Sequence, residues 1–285
     1  MLMKKYLFLI FVILFFAGCQ HKDFFTENTD AQVEREKLRV ISLAPSITNM
    51  IIALDGGESL VGVTKFCQNP ENKWTLIGGY MDFDREVFVS LKPNLVFLAP
   101  FHSEAKEICR EMNIDYVELD IDSFKSIRQN IMVIGKKIGK TEKAAQLVDN
   151  FNKEMFKVKI SKTHPRVLVV LDRNYGTRDF GKIYAVGDGG IFAEPISICG
   201  GFNAYEGIVE TPVLSAEGIV SINPDVIIDV TNDKGDEIKK DWEGLNVNAV
   251  KNHNLFVLSG KKYSTPDEKF YETVQKISEM IYETK

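Results

Sequence analysis

One twelve-residue frame occurs twice in this chain. Glu86–Phe97 reads EVFVSLKPNLVF and Glu217–Ile228 reads EGIVSINPDVII, so Glu, Val, Ser and Pro return at the same places 131 residues apart. Each copy leaves a helical pattern through -S-x-x-P- and enters a run of buried character. A single copy is an ordinary helix-to-strand joint, because the residue before a proline is pushed out of the helical region. Two copies at matching places say that the chain is built from two similar halves.

The segments around the two frames agree. Arg39–Ala44 (RVISLA), Leu60–Thr64 (LVGVT), Leu95–Pro100 (LVFLAP) and Tyr116–Asp120 (YVELD) read as strands, separated by amphipathic stretches that start near Ser46, Asp84 and Ser103. The pattern restarts at Arg166 with RVLVVLD, then a helix over Ile191–Cys199, strands at Asp225–Val230 and Leu255–Leu258, and a last helix from Pro266. Short apolar runs alternating with helices indicate parallel sheets. Between the halves, Phe124, Ile127, Ile131, Ile134 and Ile138 follow helical spacing. Gly139 interrupts, and Thr141 stands as the N-cap of a second run of about twenty residues, or ~30 Å. The expected fold is therefore α/β, with two Rossmann-like lobes, each around a central mostly parallel sheet, joined by a single long backbone α-helix. Residues 38–121 form the N-terminal lobe, 122–162 the linking helical region and 163–285 the C-terminal lobe. A joint of this kind hinges little.

The N-terminus is an address. After Lys4 and Lys5, Tyr6–Ala17 is an unbroken apolar run, YLFLIFVILFFA. Twelve residues are too few for a spanning helix, which needs about 20, and fit the apolar region of an export signal. Ala17-Gly18-Cys19 then resembles the site at which bacterial lipoproteins are cleaved and lipidated, with Phe16 where such sites usually carry Leu. Residues 1–18 are read as the lipoprotein signal, Cys19 as the lipid attachment point and 19–37 as a polar tether with no periodic apolar face. The folded part is expected outside the cytoplasm, anchored to a membrane through Cys19.

The chain carries 35 basic and 40 acidic side chains, a formal charge of −5, which argues against nucleic acid as a partner. Its four cysteines are too few for a disulfide scaffold, although a Cys67–Cys109 bridge inside the first lobe is conceivable. Gly135–Thr141 (GKKIGKT) has three residues between its glycines where a phosphate loop needs four. Gly187-Asp188-Gly189-Gly190 opens like a dinucleotide fingerprint, but Phe192 stands where the third glycine belongs. The histidines form no close pair, the cysteines have no C-x-x-C spacing, and there is no G-x-S-x-G elbow. No metal site, covalent cofactor or catalytic activity is expected.

The two-lobed pattern, RVISLAPSITNMIIALDGGESLVGVT (Arg39–Thr64) and GGY…EVFVSLKPNLVFLAP (Gly78–Pro100) together resemble the substrate-binding proteins of ABC importers for cobalamin, ferric siderophores and haem. The R-V-I-S-L-x-P-S-x-T opening and the L-V-G-V-T strand are most similar to the cobalamin-binding branch. The resemblance implies a monomer that holds its ligand in the cleft between the lobes and docks on a permease dimer with its ATPase subunits. It implies that Glu86 and Glu217, one per lobe, pair with permease arginines. A carboxylate stabilising its own helix start is the plainer role for each. In the cleft it implies Phe66 and Tyr80 as stacking aromatics, with Ser46 and Ile47 beside them. His102, after the strand ending at Pro100, is expected to face the cleft as a candidate metal contact, with a plain polar loop role weighed beside it. Gly189 lies in a turn whose N–H groups could meet an anionic group. Lys261, Lys262 and Tyr263 stand where the cobalamin branch has an acidic–aromatic pair. The implied ligand is a corrinoid or another metal chelate, the alternatives being haem or a ferric siderophore. An exported hydrolase and a ligand-free adaptor are the readings from other classes.

Overall fold

The computed structural model describes residues 37–284 except 178–179 and 233–234. The leader, Cys19 and all but the last residue of the tether lie outside the described residues. The first half runs β1 (Val40–Ser42), α1 (Pro45–Ala53), β2 (Leu60–Val63), β3 (Thr75–Leu76), α2 (Arg85–Ser90), β4 (Leu95–Leu98), α3 (Ser103–Glu111) and β5 (Asp115–Glu118). Its sheet has the order β3-β2-β1-β4-β5, and every pairing is parallel. Strands covered by helices on both faces must be apolar throughout, which is why LVFL reads as a continuous run and is buried at all four positions.

Two helices follow, α4 (Ser126–Lys137) and α5 (Thr141–Met155). The interruption expected at Gly139 is present. Gly139 takes φ +73°, a left-handed backbone that ends α4 and turns the chain into α5. Thr141 is the first residue of α5 and makes no capping bond; the flanking Lys140 supplies none either. With 15 residues, α5 spans roughly 22 Å, shorter than the expected length.

The second half contains β6 (Arg166–Asp172), β7 (Ile183–Ala185), α6 (Ala193–Ile198), β8 (Phe202–Asn203), β9 (Val213–Leu214), α7 (Ala216–Ile222), β10 (Val226–Thr231), α8 (Gly235–Asp241), α9 (Asn248–Lys251), β11 (Leu255–Ser259) and α10 (Tyr271–Tyr282). Its sheet has the order β11-β10-β6-β7-β9, with β8 also paired to β6. The pairs β6–β8, β6–β10 and β10–β11 are parallel, whereas β7 runs antiparallel to β6 and β9. The parallel path β8-β6-β10-β11 repeats β2-β1-β4-β5 of the first half.

The duplication reaches individual bonds. Arg39, just before β1, donates its N–H to Asn94 Oδ1 (2.8 Å) and its Nε to the Leu91 carbonyl (3.0 Å). Arg166, at the start of β6, donates its N–H to Asp225 Oδ2 (3.0 Å) and its Nη1 to the Ile222 carbonyl (2.6 Å). Asn94 and Asp225, like Leu91 and Ile222, are equivalent positions of the repeated frame. In both lobes an arginine satisfies carbonyls left open at the C-terminus of the helix that precedes the central strand.

The lobes share one hydrophobic core. It runs from Val40 and Ile47 through Phe124 and Phe151 to Val167, Phe192 and Ile281. Phe124 stands 6.0 Å from Phe151 and 6.2 Å from Phe270, which in turn lies 5.8 Å from Phe192, so an aromatic seam closes the base of the cleft. The other faces of the two sheets hold separate clusters, one around Ile41, Phe88 and Val96, the other around Leu168, Ile227 and Trp242. Cys67 belongs to the shared core and Cys109 to the cluster on the opposite sheet face. The conceivable bridge between them is therefore absent, and Cys67, Cys109 and Cys199 are free thiols. Among the described residues no helix is long and apolar enough to cross a membrane.

Candidate functional site

A cavity of about 930 Å³ is lined by residues of both lobes and of the link between them. Pro45, Ser46, Asn49, Ile52 and Ala53 of α1 form one side, Ile121 and Asp122 the base of the link, and residues 261–272 the opposite side. Leu147 and Asn150 of α5, Ile191 and Asn232 complete the wall.

The loop after β2 carries the aromatic wall. Phe66 and Tyr80 stack with ring centroids 4.9 Å apart and planes inclined by 16°. Phe66 is 44% exposed, a large apolar surface left open on the cavity side. The Lys65 N–H donates to the Gly78 carbonyl (2.8 Å) and ties the two aromatic-bearing segments together. Below them Cys67 Sγ lies 3.1 and 3.2 Å from the Thr48 and Thr64 hydroxyls. Burial first, then the nearby Cys67 and Asp122, push the Tyr80 phenol up to about 12, so it stays a neutral O–H at physiological pH.

Of the residues anticipated for the cleft, Ser46, Phe66, Tyr80 and Lys261 line the cavity. Ile47 does not: it is 1% exposed because the face of α1 that carries it turns into the core. His102 does not line it either. The ring is 2% exposed, and its Nδ1 accepts the Ala99 N–H at 2.9 Å, which folds it back onto its own loop. Burial above all holds His102 below the usual imidazole range, so it is a neutral ring packed behind Tyr80 at 6.4 Å, outside the cavity lining, with Nε2 unpartnered among the described residues. Gly189 is held away as well. The N–H groups of Gly187 and Asp188 are taken by the carbonyls of Glu210 (2.8 Å) and Val209 (3.2 Å), leaving neither of them for an anion. That approach requires glycine, since a Cβ on Gly187 would meet the Val209 oxygen at 1.8 Å. Tyr263 packs inward against the shared core, with Lys262 Nζ 4.8 Å from its ring centroid.

The residues missed are acidic. Asp267 and Glu268 lie in the lining and are both buried. Asn49 Nδ2 donates to Asp267 Oδ2 at 2.6 Å, a bond from α1 to the opposite side of the cleft. Burial raises the Asp267 carboxyl, and burial together with the Asp267 charge pushes Glu268 up to about 7. Asp122 is also raised, by burial first and then by Asp120 and Glu210. Lys262 Nζ pairs with Glu272 Oε2 at 3.2 Å. The two lysines read from GKKYST thus share the lining with four acids, Asp122, Asp267, Glu268 and Glu272. In sequence, PDEK looks like an exposed helix start, and nothing in it marks burial.

Glu86 and Glu217 occupy one position on two equivalent helices, the second residue of α2 and of α7, and both are exposed. Asp84 caps α2 by accepting from the Glu86 and Val87 N–H groups, and Ser215 caps α7 by accepting from Gly218. The Glu217 backbone N–H and the Ser215 hydroxyl, 2.8 Å away, hold the Glu217 carboxyl below the usual range. The Glu217 carboxylate is therefore charged at neutral pH.

A family model described as periplasmic binding protein matches residues 40–261, most of the chain. The chain belongs to the periplasmic binding protein family. The family is one of solute binders and not of catalysts, in keeping with the sequence reading of a non-enzyme. Among its relatives, the uncharacterized ABC transporter substrate-binding lipoprotein YvrC of Bacillus subtilis is 26% identical over 266 residues, covering 90% of this chain and 83% of YvrC. The high-affinity haem uptake system protein IsdE of Staphylococcus aureus is 22% identical over 273 residues, 89% of each chain. The periplasmic haem-binding protein HutB of Vibrio cholerae superimposes with a TM-score of 0.75 at 18% identity, over 86% of this chain and 99% of HutB. The periplasmic vitamin B12-binding protein BtuF of the same organism gives 0.66 at 19% identity, over 85% and 96%. Periplasmic binding proteins of this two-lobed α/β architecture therefore share the fold across haem- and B12-binding members.

Proposed function

We propose that this protein is the extracytoplasmic, lipid-anchored substrate-binding component of an ABC importer, and that it takes a macrocyclic metal chelate of the corrinoid class between its lobes. The cavity carries this reading. At about 930 Å³ it is at the upper end of small-molecule pockets, which run from about 300 to 1,000 Å³. One wall is the Phe66–Tyr80 stack, a flat apolar platform suited to a planar ring. The rest alternates amides and hydroxyls (Asn49, Gln68, Asn150, Asn232, Ser264, Thr265) with Lys261, Lys262 and Lys269 against Asp122, Asp267, Glu268 and Glu272. A wall with nearly balanced charge and many amide groups suits a rim of uncharged carboxamides better than a polyanion. Haem is the second reading, favoured by Lys261 and Lys262, which could receive two propionates, and by its occurrence among the relatives.

Glu86 and Glu217 are the proposed contacts to the permease dimer. They lie at equivalent points of two duplicated lobes, so a pseudo-symmetric partner can present one cationic site to each. Exposed pairs of this kind contribute orientation and encounter rate more than affinity. Cys19 is the proposed lipid attachment point. The test of the ligand class is an absorbance titration of the purified protein with cyanocobalamin, dicyanocobinamide, haemin and a ferric hydroxamate. Saturable binding of the corrinoids is expected. Saturation by haemin alone transfers the assignment to the second reading, and no saturation by any macrocycle overturns both.

A further inference from the structure

Asp267 and Glu268 are neighbours in the cavity wall, and their oxygens have different fates. Asp267 is fully engaged: Oδ2 accepts from Asn49 Nδ2 at 2.6 Å, and Oδ1 from the Lys269 N–H at 2.9 Å. Glu268 is only 8% exposed, and its Oε2 has no hydrogen-bond partner among the described residues. Native proteins rarely leave a buried carboxylate oxygen unpaired, because its lost hydration is then uncompensated. Such an atom in the lining of a ligand cavity marks a place where a ligand group completes the bonding.

The neighbours define that group. Asp267 and Glu272 add negative charge beside Glu268, and Lys262, the nearest counter-charge to Glu272, is already paired with it. The Glu268 backbone N–H and then Lys269 lower the Glu268 carboxyl, each by less than burial and Asp267 raise it. A carboxylate or catecholate placed here meets repulsion, whereas an N–H donor meets an open acceptor. We propose that Glu268 is a specificity site of the cavity, accepting a hydrogen bond from an N–H donor on the ligand rim, a carboxamide or an ammonium, and rejecting a carboxylate at the same position. This rests on the reading of the cavity as the seat of a rimmed macrocycle. Glu268 is itself a lining residue, so its carboxyl group lies within side-chain reach of a ligand held in the cavity. The Asn49–Asp267 bond ties the segment that carries it to α1.

The test compares matched probes that differ at the rim: dicyanocobinamide against dicyanocobyrinic acid, and haemin bis-amide against haemin. Wild type, Glu268→Gln and Glu268→Met are titrated by absorbance at pH 8, with melting curves to verify folding. The quantity read is the ratio of dissociation constants within each pair. Wild type favours the amide member, and both substitutions shrink that preference by about tenfold or more, the scale of one hydrogen bond to a charged group. Gln shrinks it further than Met, because its NH₂ can donate to a carboxylate. Met, similar in length and free of polar atoms, keeps the comparison if Gln perturbs the loop. A probe that binds with the same ratio in all three proteins overturns the Glu268 role and leaves the macrocycle reading intact. Failure of every probe to bind overturns that reading and the Glu268 role with it.

Discussion

Replacing Glu268 by Gln removes a buried charge while keeping the side chain's shape, and its effect on stability must depend on pH. Burial and then the Asp267 charge lift the Glu268 carboxyl from its ordinary 4.5 to about 7, with Lys269 opposing and Glu272 adding to the rise. Below 4.5 the folded and unfolded chains both hold the proton, and wild type and variant have similar stability. Between 4.5 and about 7 the folded protein retains a proton that the unfolded chain has released, so wild-type stability falls as pH rises and the loss is complete above that interval. At about 1.4 kcal/mol for each pH unit, the lost stability is about 3 kcal/mol. Gln does not titrate and escapes it. For a domain of this size about 1 kcal/mol moves Tm by 2–4 °C, so the variant melts roughly 6–12 °C above wild type at pH 8.5 and level with it at pH 4. Thermal melts of both proteins across that range measure the gap. A gap that stays constant with pH, or that opens toward acid, refutes the burial of an ionisable Glu268.

Phe66→Ala combined with Tyr80→Ala removes the stacked platform and weakens binding of dicyanocobinamide or haemin by roughly tenfold or more, read by absorbance titration; an unchanged dissociation constant places the ligand elsewhere. Glu86→Arg combined with Glu217→Arg abolishes uptake by cells while the purified protein keeps its ligand affinity, since both side chains are exposed on helices α2 and α7 outside the cavity lining. Parallel loss of uptake and affinity rules out the docking role. Phe270→Ala opens the aromatic seam and destabilises the protein by about 3–5 kcal/mol in denaturant unfolding.

The central strands are legible in the sequence because both of their faces are covered. RVLVVLD becomes β6 without adjustment, and DVIIDV becomes β10 with a shift of one residue at each end. The short strands β3, β8 and β9 carry two residues each, with largely exposed side chains, and no period can be read from so few positions. In the site, Phe66 and Tyr80 follow from the resemblance to the cobalamin branch, which implies stacking aromatics at those positions. Ile47 and His102 show the limit of that logic: a loop beside the cleft has an inner side too, and packing chooses it. Asp267 and Glu268 are illegible for a further reason. Their burial depends on α1, whose Asn49 lies 218 residues earlier in the chain.

The duplication explains why the outer face and the cavity differ in this respect. The repeated frame contains the carboxylates of α2 and α7 and the helix ends that Arg39 and Arg166 clamp from outside it. A partner that meets both lobes in equivalent ways would keep these features matched. A ligand bound between the lobes sees each from one side only and has no reason to be symmetric. The cavity is accordingly built where the halves diverge. The Phe66–Tyr80 platform has no stacked counterpart among the described residues of the second lobe, and the segment after β11 brings ten residues to the lining where the segment after its equivalent, β5, brings Ile121 and Asp122. The antiparallel pair β7–β9 interrupts the second sheet alone. Under the proposed docking through Glu86 and Glu217, symmetry marks the surface that would face the transporter, and departure from symmetry the place for the cargo.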